Sequence, residues 1–355
     1  MREGFIRDLL SSGPPVLVYH WDADGMISAM HIVSMAGQDT IMLPPKFTFR
    51  VDDDFIRSLK AKAAGKRPII ILDLSYPGRV IDRIARETGV HILVVDHHYQ
   101  DEGPREPNVE YVNPARKGDP EGEWPSTAHV LARILGEYHP GLVAASIVGD
   151  LGPRAKANKH YQNYMVEAGL DPVRDYWVVE QVVSQLDSIS VTANYDGLKW
   201  IPKVHAIGQF DPLKSILNDP LLTTLKTNVE VEFESLLEEA KSSLVEEAPG
   251  VLGVKLSGES RLASRLARSL ASMNPGRVVV VAYHSTGIDR AYIYARAYKL
   301  KAQLAGIAEY FKQLGFEAGG KYQEDNNVVA VECPPREMER VYRLMVEKVR
   351  EVLGA

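Results

Sequence analysis

The sequence predicts an α/β fold: a mostly parallel sheet with helices on both faces, a helical connector, and then a smaller α/β unit. Three observations predict it. Val16–Tyr19, Ile69–Leu72 and His91–Val95 are short apolar runs that read as buried strands. Helical stretches alternate with them over the first 150 residues. Each run ends at an acid or a histidine, where open α/β sheets keep their reactive groups.

Taken in order, Val16–His20 leads into a helix from Gly25 to Met35, and Thr40–Leu43 reads as a short strand. A run of aspartates caps a helix over Asp53–Ala64. Ile69–Leu72, a helix near Arg79–Thr88 and His91–Val95 add two further strand–helix units. Pro125-Ser126-Thr127 opens a helix over Ala128–Tyr138, and Pro140 opens another that leads to Asp150.

From about 155 to 248 the pattern is helical. Val229, Phe233, Leu236, Leu237, Ala240 and Leu244 recur at helical spacing with glutamates between them, up to a stop at Pro249-Gly250. A new α/β unit follows: helix Arg261–Ser272, a turn at Asn274-Pro275-Gly276, and strands Val278–Tyr283 and Ala291–Ala297. Helix Ala302–Gln313, strand Val328–Val331 and helix Arg336–Val352 complete it.

Composition sets limits on function. At 355 residues, with 45% apolar and 25% charged residues, the chain has the material of two soluble domains. Cys333 is its one cysteine, so neither an internal disulfide nor a thiolate zinc cluster can form, which fits a cytoplasmic protein. The first ten residues carry acids and lack an apolar core of signal-peptide length. The β-rich run Val278–Tyr283 is far too short to span a bilayer, so no membrane partner is expected. The net charge of −6 is unevenly spread: residues 251–355 hold 16 Lys/Arg against 11 Asp/Glu, and the rest hold 25 against 36. An acidic first part suits a cation site and a basic second part suits a polyanion.

The residues that carry chemistry lie at the strand ends. In His20-Trp-Asp22-Ala-Asp24-Gly25, alternate side chains project to one side while the chain stays extended. Gly25 then allows a tight turn with close backbone approach into a helix, whose N-terminus suits an anion. Asp73, Asp96-His97-His98 and Asp150 follow in order. Carboxylates that can bridge, together with one or two imidazoles, suit a pair of divalent ions. That donor set favours Mn²⁺ over Mg²⁺, which tolerates nitrogen poorly, and over Zn²⁺, which recruits more histidine or cysteine.

These four pieces resemble the motifs of the DHH phosphoesterase superfamily, and the HxDxDG form resembles its archaeal RecJ-like branch. The resemblance covers most of the chain. It implies a DHH metal-binding domain over 1–195, a helical connector over 196–249 and a DHHA1-like substrate-binding domain over 250–355. It further implies that His20 and Asp22 serve one metal, while Asp24, His97 and Asp150 serve the other and Asp73 bridges. Asp96 would orient or supplement a ligand, and His98 would touch the phosphate. The implied cofactor is two Mn²⁺ ions, with Mg²⁺ as the alternative.

In the second domain, Glu317-Ala318-Gly319-Gly320-Lys321 resembles the Gly-Gly-His element of the family's substrate-binding turn, with Lys321 in place of the histidine. Lys321 can still meet a phosphate as a point charge. Arg296 resembles the arginine that the family places on a neighbouring strand. Arg261, Arg265 and Arg268 share one helix face, either solvated or tracking a nucleic-acid backbone. Tyr283, Tyr292, Tyr294 and Tyr298 alternate with other residues along nearby strands and read as packing residues or base-stacking ones.

The implied function is manganese-dependent exonuclease action on single-stranded DNA or RNA. Two alternatives stand beside it: a phosphodiesterase for short oligonucleotides or cyclic dinucleotides, and a non-catalytic scaffold in replication. Replication or repair proteins are the partners that the resemblance implies. A type of inorganic pyrophosphatase shares the motif set, but it separates the first histidine from the aspartate pair by three residues. Here only Trp21 intervenes.

Overall fold

The apolar runs before His20, Asp73 and Asp96 form the middle of a five-stranded parallel sheet. The computed structural model describes residues 9–10, 13–100, 102–117, 122–206, 211–300, 303–323 and 326–354. The strands are β1 (Val16–Tyr19), β2 (Ile41–Met42), β3 (Ile69–Leu72), β4 (Ile92–Val95) and β5 (Val109–Val112), in the order β2-β1-β3-β4-β5. All four pairings are parallel. Every residue of β1, β3 and β4 is buried, as a sheet covered on both faces requires.

Side chains alternate between the faces with period two. Val16, Val18, Ile69, Ile71, Ile92 and Val94 pack against Leu59 of α2 (Asp53–Lys62) and Ile81, Ile84 and Ala85 of α3 (Gly78–Thr88). On the other face, α1 (Ala23–Ala36) lies on β1 and β3, and α4 (Thr127–Leu135) lies on β4. The chain leaves β1 for β2 on one side and returns to β3 on the other. A topological switch point therefore lies at the carboxyl ends of β1 and β3.

Local chemistry fixes the helix starts. Asp22, Asp52 and Ser126 are N-caps whose side chains accept from the amides of Gly25, Phe55 and His129. Asp53 and Asp54 open α2 while Lys60 and Lys62 close it, matching the helix dipole at both ends. A run of helices follows: α5 (Pro140–Leu151), α6 (Lys159–Glu167), α7 (Tyr176–Val191), α8 (Tyr195–Ala206), α9 (Pro212–Leu217) and α10 (Pro220–Ser243).

The chain splits into two compact units, Met1–Ser190 with Asn194–Lys226 and Val191–Ala193 with Thr227–Ala355. The segment 196–226 thus packs with the first unit and 227–249 with the second. The second unit holds a mixed sheet in the order β10-β11-β9-β8-β7-β6. Its strands are β6 (Val245–Ala248), β7 (Val251–Gly258), β8 (Val278–Ser285), β9 (Arg290–Tyr298), β10 (Glu317–Gln323) and β11 (Asn326–Cys333). Only β7 and β8 pair in parallel, joined through α11 (Ala263–Met273). One face packs on α11 and on Val229, Phe233, Leu236 and Ala240 of α10. The other packs on α12 (Ile307–Gln313) and α13 (Met338–Leu353). Among the described residues, no helix is long and apolar enough to cross a membrane.

Several sequence expectations need correction. The helix expected to reach Pro249 ends at Ser243, because Val245–Ala248 pairs with β7 and Pro249-Gly250 makes the hairpin between them. Strands β5 and β7 were not anticipated. The turn expected at Gly319-Gly320 is instead the middle of β10, in antiparallel register with β11. Arg261 precedes α11 and does not lie on it. Arg265 remains partly exposed, but it donates to both carboxylate oxygens of Glu230 and lies 3.8 Å from the Phe233 ring centroid, so its charge is paired within the unit. Tyr283 is fully buried, with its hydroxyl donating to Ser260 O at 2.6 Å, which makes it a packing residue.

Candidate metal centre

The ladder of the parallel sheet runs one residue beyond each strand. His20 N donates to Leu72 O at 3.1 Å, Asp73 N to Val95 O at 3.0 Å and Asp96 N to Val112 O at 3.0 Å. Main-chain pairing therefore sets three consecutive side-chain origins at the carboxyl edge. Gly25 is required there: a Cβ on it would stand 2.3 Å from His20 O and 2.8 Å from His20 Cβ. Asp73 has a left-handed backbone (φ 62°) and Ser75 another (φ 50°), so the chain turns sharply once the carboxylate is delivered.

Around this edge the six residues expected as metal ligands, apart from Asp96, converge. His20 Nδ1 lies 2.6 Å from Asp22 Oδ2 and 3.6 Å from Asp73 Oδ2. His97 Nε2 lies 3.5 Å from Asp73 Oδ1, 3.4 Å from Asp150 Oδ2 and 4.0 Å from Asp24 Oδ2. Three sets have ligand atoms all within 4.8 Å of one another: His20, Asp22 and Asp73; Asp24, His97 and Asp150; and Asp73, His97 and His98. Asp73 belongs to two of them.

The hydrogen bonds aim these groups. His97 Nδ1 sits 3.2 Å from Trp124 O, which places its proton there and leaves the Nε2 lone pair facing the carboxylates. Asp73 Oδ1 accepts from Thr127 Oγ1 at 2.9 Å. Both oxygens of Asp24 accept main-chain N–H groups at the start of α4, from Thr127 at 2.7 Å and Ala128 at 3.0 Å. Asp73 Oδ2, His97 Nε2 and Asp150 Oδ2 are buried without a hydrogen-bond partner. Three buried acceptors left without a partner in a cluster of carboxylates and imidazoles are groups that a cation would satisfy.

Electrostatics point the same way. Burial, reinforced by Asp22, raises Asp24 to about 7. Burial and the neighbouring aspartates push Asp73 and Asp150 well above the usual carboxylate range. Burial, with His98 beside it, lowers His97 to about 4 and keeps its ring neutral. Asp22 is the exception: burial opposes ionisation, but His20 outweighs it and holds the carboxyl at about 2. A site that holds its carboxylates back from ionising is one that a divalent ion would relieve.

Asp96 takes a different place. Its Oδ1 accepts from the amides of His97 (2.7 Å) and His98 (2.9 Å) and lies 2.9 Å from His98 Nδ1. Its Oδ2 accepts from Ser75 N at 2.6 Å. The carboxylate thus orients both histidines and belongs to none of the three ligand sets. Asp187, which carries no sequence signal in mid-helix, accepts from Ala23 N at 2.9 Å and fixes the start of α1. Thr127 likewise carries no sequence signal beyond its place at a helix start.

In the second unit, cross-strand register aligns Arg296 on β9 with Val328 on β11, and Val328 with Lys321 on β10. Arg296 and Lys321 therefore share one face, Arg296 buried and Lys321 exposed. Gly320 faces the other way, where a Cβ would come 2.7 Å from Ala305 Cα.

The model of the DHH family, N-terminal domain, matches residues 16–150. A similar curated protein is the single-stranded-DNA-specific exonuclease RecJ of Bacillus subtilis, 25% identical over 318 residues. That match covers 81% of this chain and 38% of the relative, so the chain spans well under half of that protein's length. Among solved structures, exonuclease RecJ bound to manganese is similar at a TM-score of 0.66 and 16% identity, covering 98% of this chain and 92% of that one. The pGpG-specific phosphodiesterase PggH from Vibrio cholerae is similar at 0.52 and 14%, covering 95% and 99%.

Proposed function

This chain belongs to the DHH phosphoesterase superfamily, among its RecJ-like members, and from that premise we propose that it hydrolyses phosphodiester bonds of single-stranded DNA or RNA with manganese held in the cluster. One observation carries this: Asp73 Oδ2, His97 Nε2 and Asp150 Oδ2 are buried and unpartnered, and their residues belong to three overlapping sets of potential metal ligands. His20, Asp22 and Asp73 would hold one ion, and Asp24, His97 and Asp150 the other, with Asp73 shared; Mg²⁺ is the alternative metal.

Bound divalent ions supply Lewis acidity and neutralise phosphate charge. The chain's own groups supply the rest. His98, 43% exposed at its side chain, turns Nδ1 to Asp96 and keeps Nε2 for the phosphate. Burial opposes its protonation, but the Asp96 carboxylate outweighs that and raises its pKa. It therefore suits holding a proton for a phosphate oxygen or for the leaving oxygen. Arg296 and Lys321, with Gly319 beside them, are the second unit's candidates for contact with the strand.

The test is digestion of 5′- and 3′-labelled single and double strands, DNA and RNA, with Mn²⁺, Mg²⁺ or chelator. Stepwise shortening of long single strands with Mn²⁺ is expected. Attack only on oligomers of a few nucleotides, or on cyclic dinucleotides, moves the substrate to the short class. No Mn²⁺-stimulated cleavage of any nucleotide leaves a scaffold role.

A further inference from the structure

The loop after β2 carries Lys46-Phe47-Thr48-Phe49-Arg50, two aromatics flanked by cations, none of it in the metal motifs. Phe49 is 52% exposed, although it lies among buried aromatics at the edge of the cluster. Its ring stacks on the His20 imidazole, with centroids 5.3 Å apart and planes at 26°, and leans on Trp21 at 4.9 Å. Trp21, buried, supports His20 in turn at 4.6 Å.

The loop that presents this ring is fixed from several sides. Leu43 N donates to Leu17 O at 2.8 Å, continuing the pairing with β1. The Tyr195 hydroxyl donates to Pro44 O at 2.9 Å. Phe47 is buried edge-on between Trp21 (6.2 Å) and Tyr195 (6.4 Å), and holds a left-handed backbone at φ 55°. Arg50 N donates to Thr48 Oγ1 at 3.1 Å. Lys46 and Arg50 are exposed on either side of the aromatic pair. A flat apolar face held open to water, between two cations and one ring away from a ligand histidine, matches what a single strand needs. Bases stack without regard to sequence, and cations meet the phosphates between them.

We infer that Phe49, backed by Trp21, is the stacking platform for the base next to the phosphate held at the cluster, with Lys46 and Arg50 meeting the flanking phosphates. This deepens the phosphodiesterase function proposed above and rests on it. Phe49 is a positioning residue, because it touches the base and not the reacting atoms.

The experiment compares wild type, Phe49→Ala, Phe49→Leu and Phe49→Tyr on single strands that carry either a normal nucleotide or an abasic one beside the labelled end. Phe49→Ala and Phe49→Leu are expected to raise KM about tenfold, the factor that about 1.4 kcal/mol of stacking supplies, with the loss on KM rather than kcat. Phe49→Tyr keeps the flat face and restores KM. The abasic substrate should cost wild type the same factor and cost Phe49→Ala nothing further. Mn²⁺ affinity by calorimetry should not move. A wild-type KM in Phe49→Leu, an abasic penalty equal in wild type and Phe49→Ala, or a loss of Mn²⁺ binding with the ring would overturn the proposal. Should wild type cleave no strand at all, the phosphodiesterase function fails on its own. The platform is then judged by whether wild type binds a normal oligonucleotide more tightly than an abasic one, and Phe49→Ala does not.

Discussion

In the parallel sheet, the residues that gather at the cluster, apart from Asp150 on α5, leave from the carboxyl ends of three adjacent strands, β1, β3 and β4, within one to five positions of each strand's last residue. In the mixed sheet, Arg296 and Lys321 meet only through a cross-strand row that runs over β9, β11 and β10. The first arrangement concentrates charge: four aspartates and three histidines crowd together, and several are held away from their usual ionisation. The second spreads it, and among the described residues no group of three potential metal ligands forms there. Under the function proposed above, the first sheet would hold compact multivalent cations and the second would meet a long, diffuse anion.

Asp73→Asn should separate them most sharply. Asparagine tolerates the left-handed backbone at this position and keeps the shape, but it removes the shared charge. We expect Mn²⁺-dependent hydrolysis to fall by about a thousandfold or more, with the melting temperature nearly unchanged. Equal activity in the variant would break the assignment of Asp73 as the shared ligand.

Metal removal should show the next largest effect, with a sign set by pH. Asp24, Asp73 and Asp150 have folded pKa values above the unfolded one. The stability that Asp24 contributes to the metal-free protein is present below the unfolded value near 3.8 and is lost as pH rises through about 7, and the contributions of Asp73 and Asp150 fall with rising pH in the same direction. A divalent ion displaces those protons, so Mn²⁺ should raise the melting temperature over EDTA more at pH 8 than at pH 5. Scanning calorimetry at the two pH values checks this, and an equal or reversed difference counts against a cation in the cluster.

A smaller effect belongs to the mixed sheet alone. Gly320→Ala forces a Cβ to within 2.7 Å of Ala305 Cα and 3.0 Å of Val328 O, and should destabilise by about 1–3 kcal/mol. Gly319→Ala meets nothing within 4 Å and should be nearly neutral in the same urea titration. The smallest effect is expected of Lys321→Ala: about threefold weaker binding of single strands, and a salt slope lower by about one, with kcat unchanged.

The same contrast explains what could be read in advance. His20-Trp-Asp22-Ala-Asp24-Gly25 and Asp96-His97-His98 announce themselves because each follows an all-apolar strand directly, and a parallel ladder places such ends side by side. Asp187 and Thr127 were not legible, since each reaches the site from a helix by tertiary packing alone. In the mixed sheet, Gly253 and Gly258 weaken the strand signal of β7, and Gly319-Gly320 disguises β10 as a turn. Its rows depend on antiparallel register, which no local pattern states. The pairing of Arg265 with Glu230, a partner from another helix, was hidden for a related reason.

The grip of α4 on Asp24 has a use at the bench. Thr127 and Ala128 each donate a main-chain proton to one oxygen of that carboxylate. An ion that draws on either oxygen changes the charge that these two N–H groups meet. The amide resonances of these two residues should then shift as manganese's diamagnetic substitute magnesium is titrated in. Occupancy of the centre becomes measurable from two peaks, in a sample that turns nothing over.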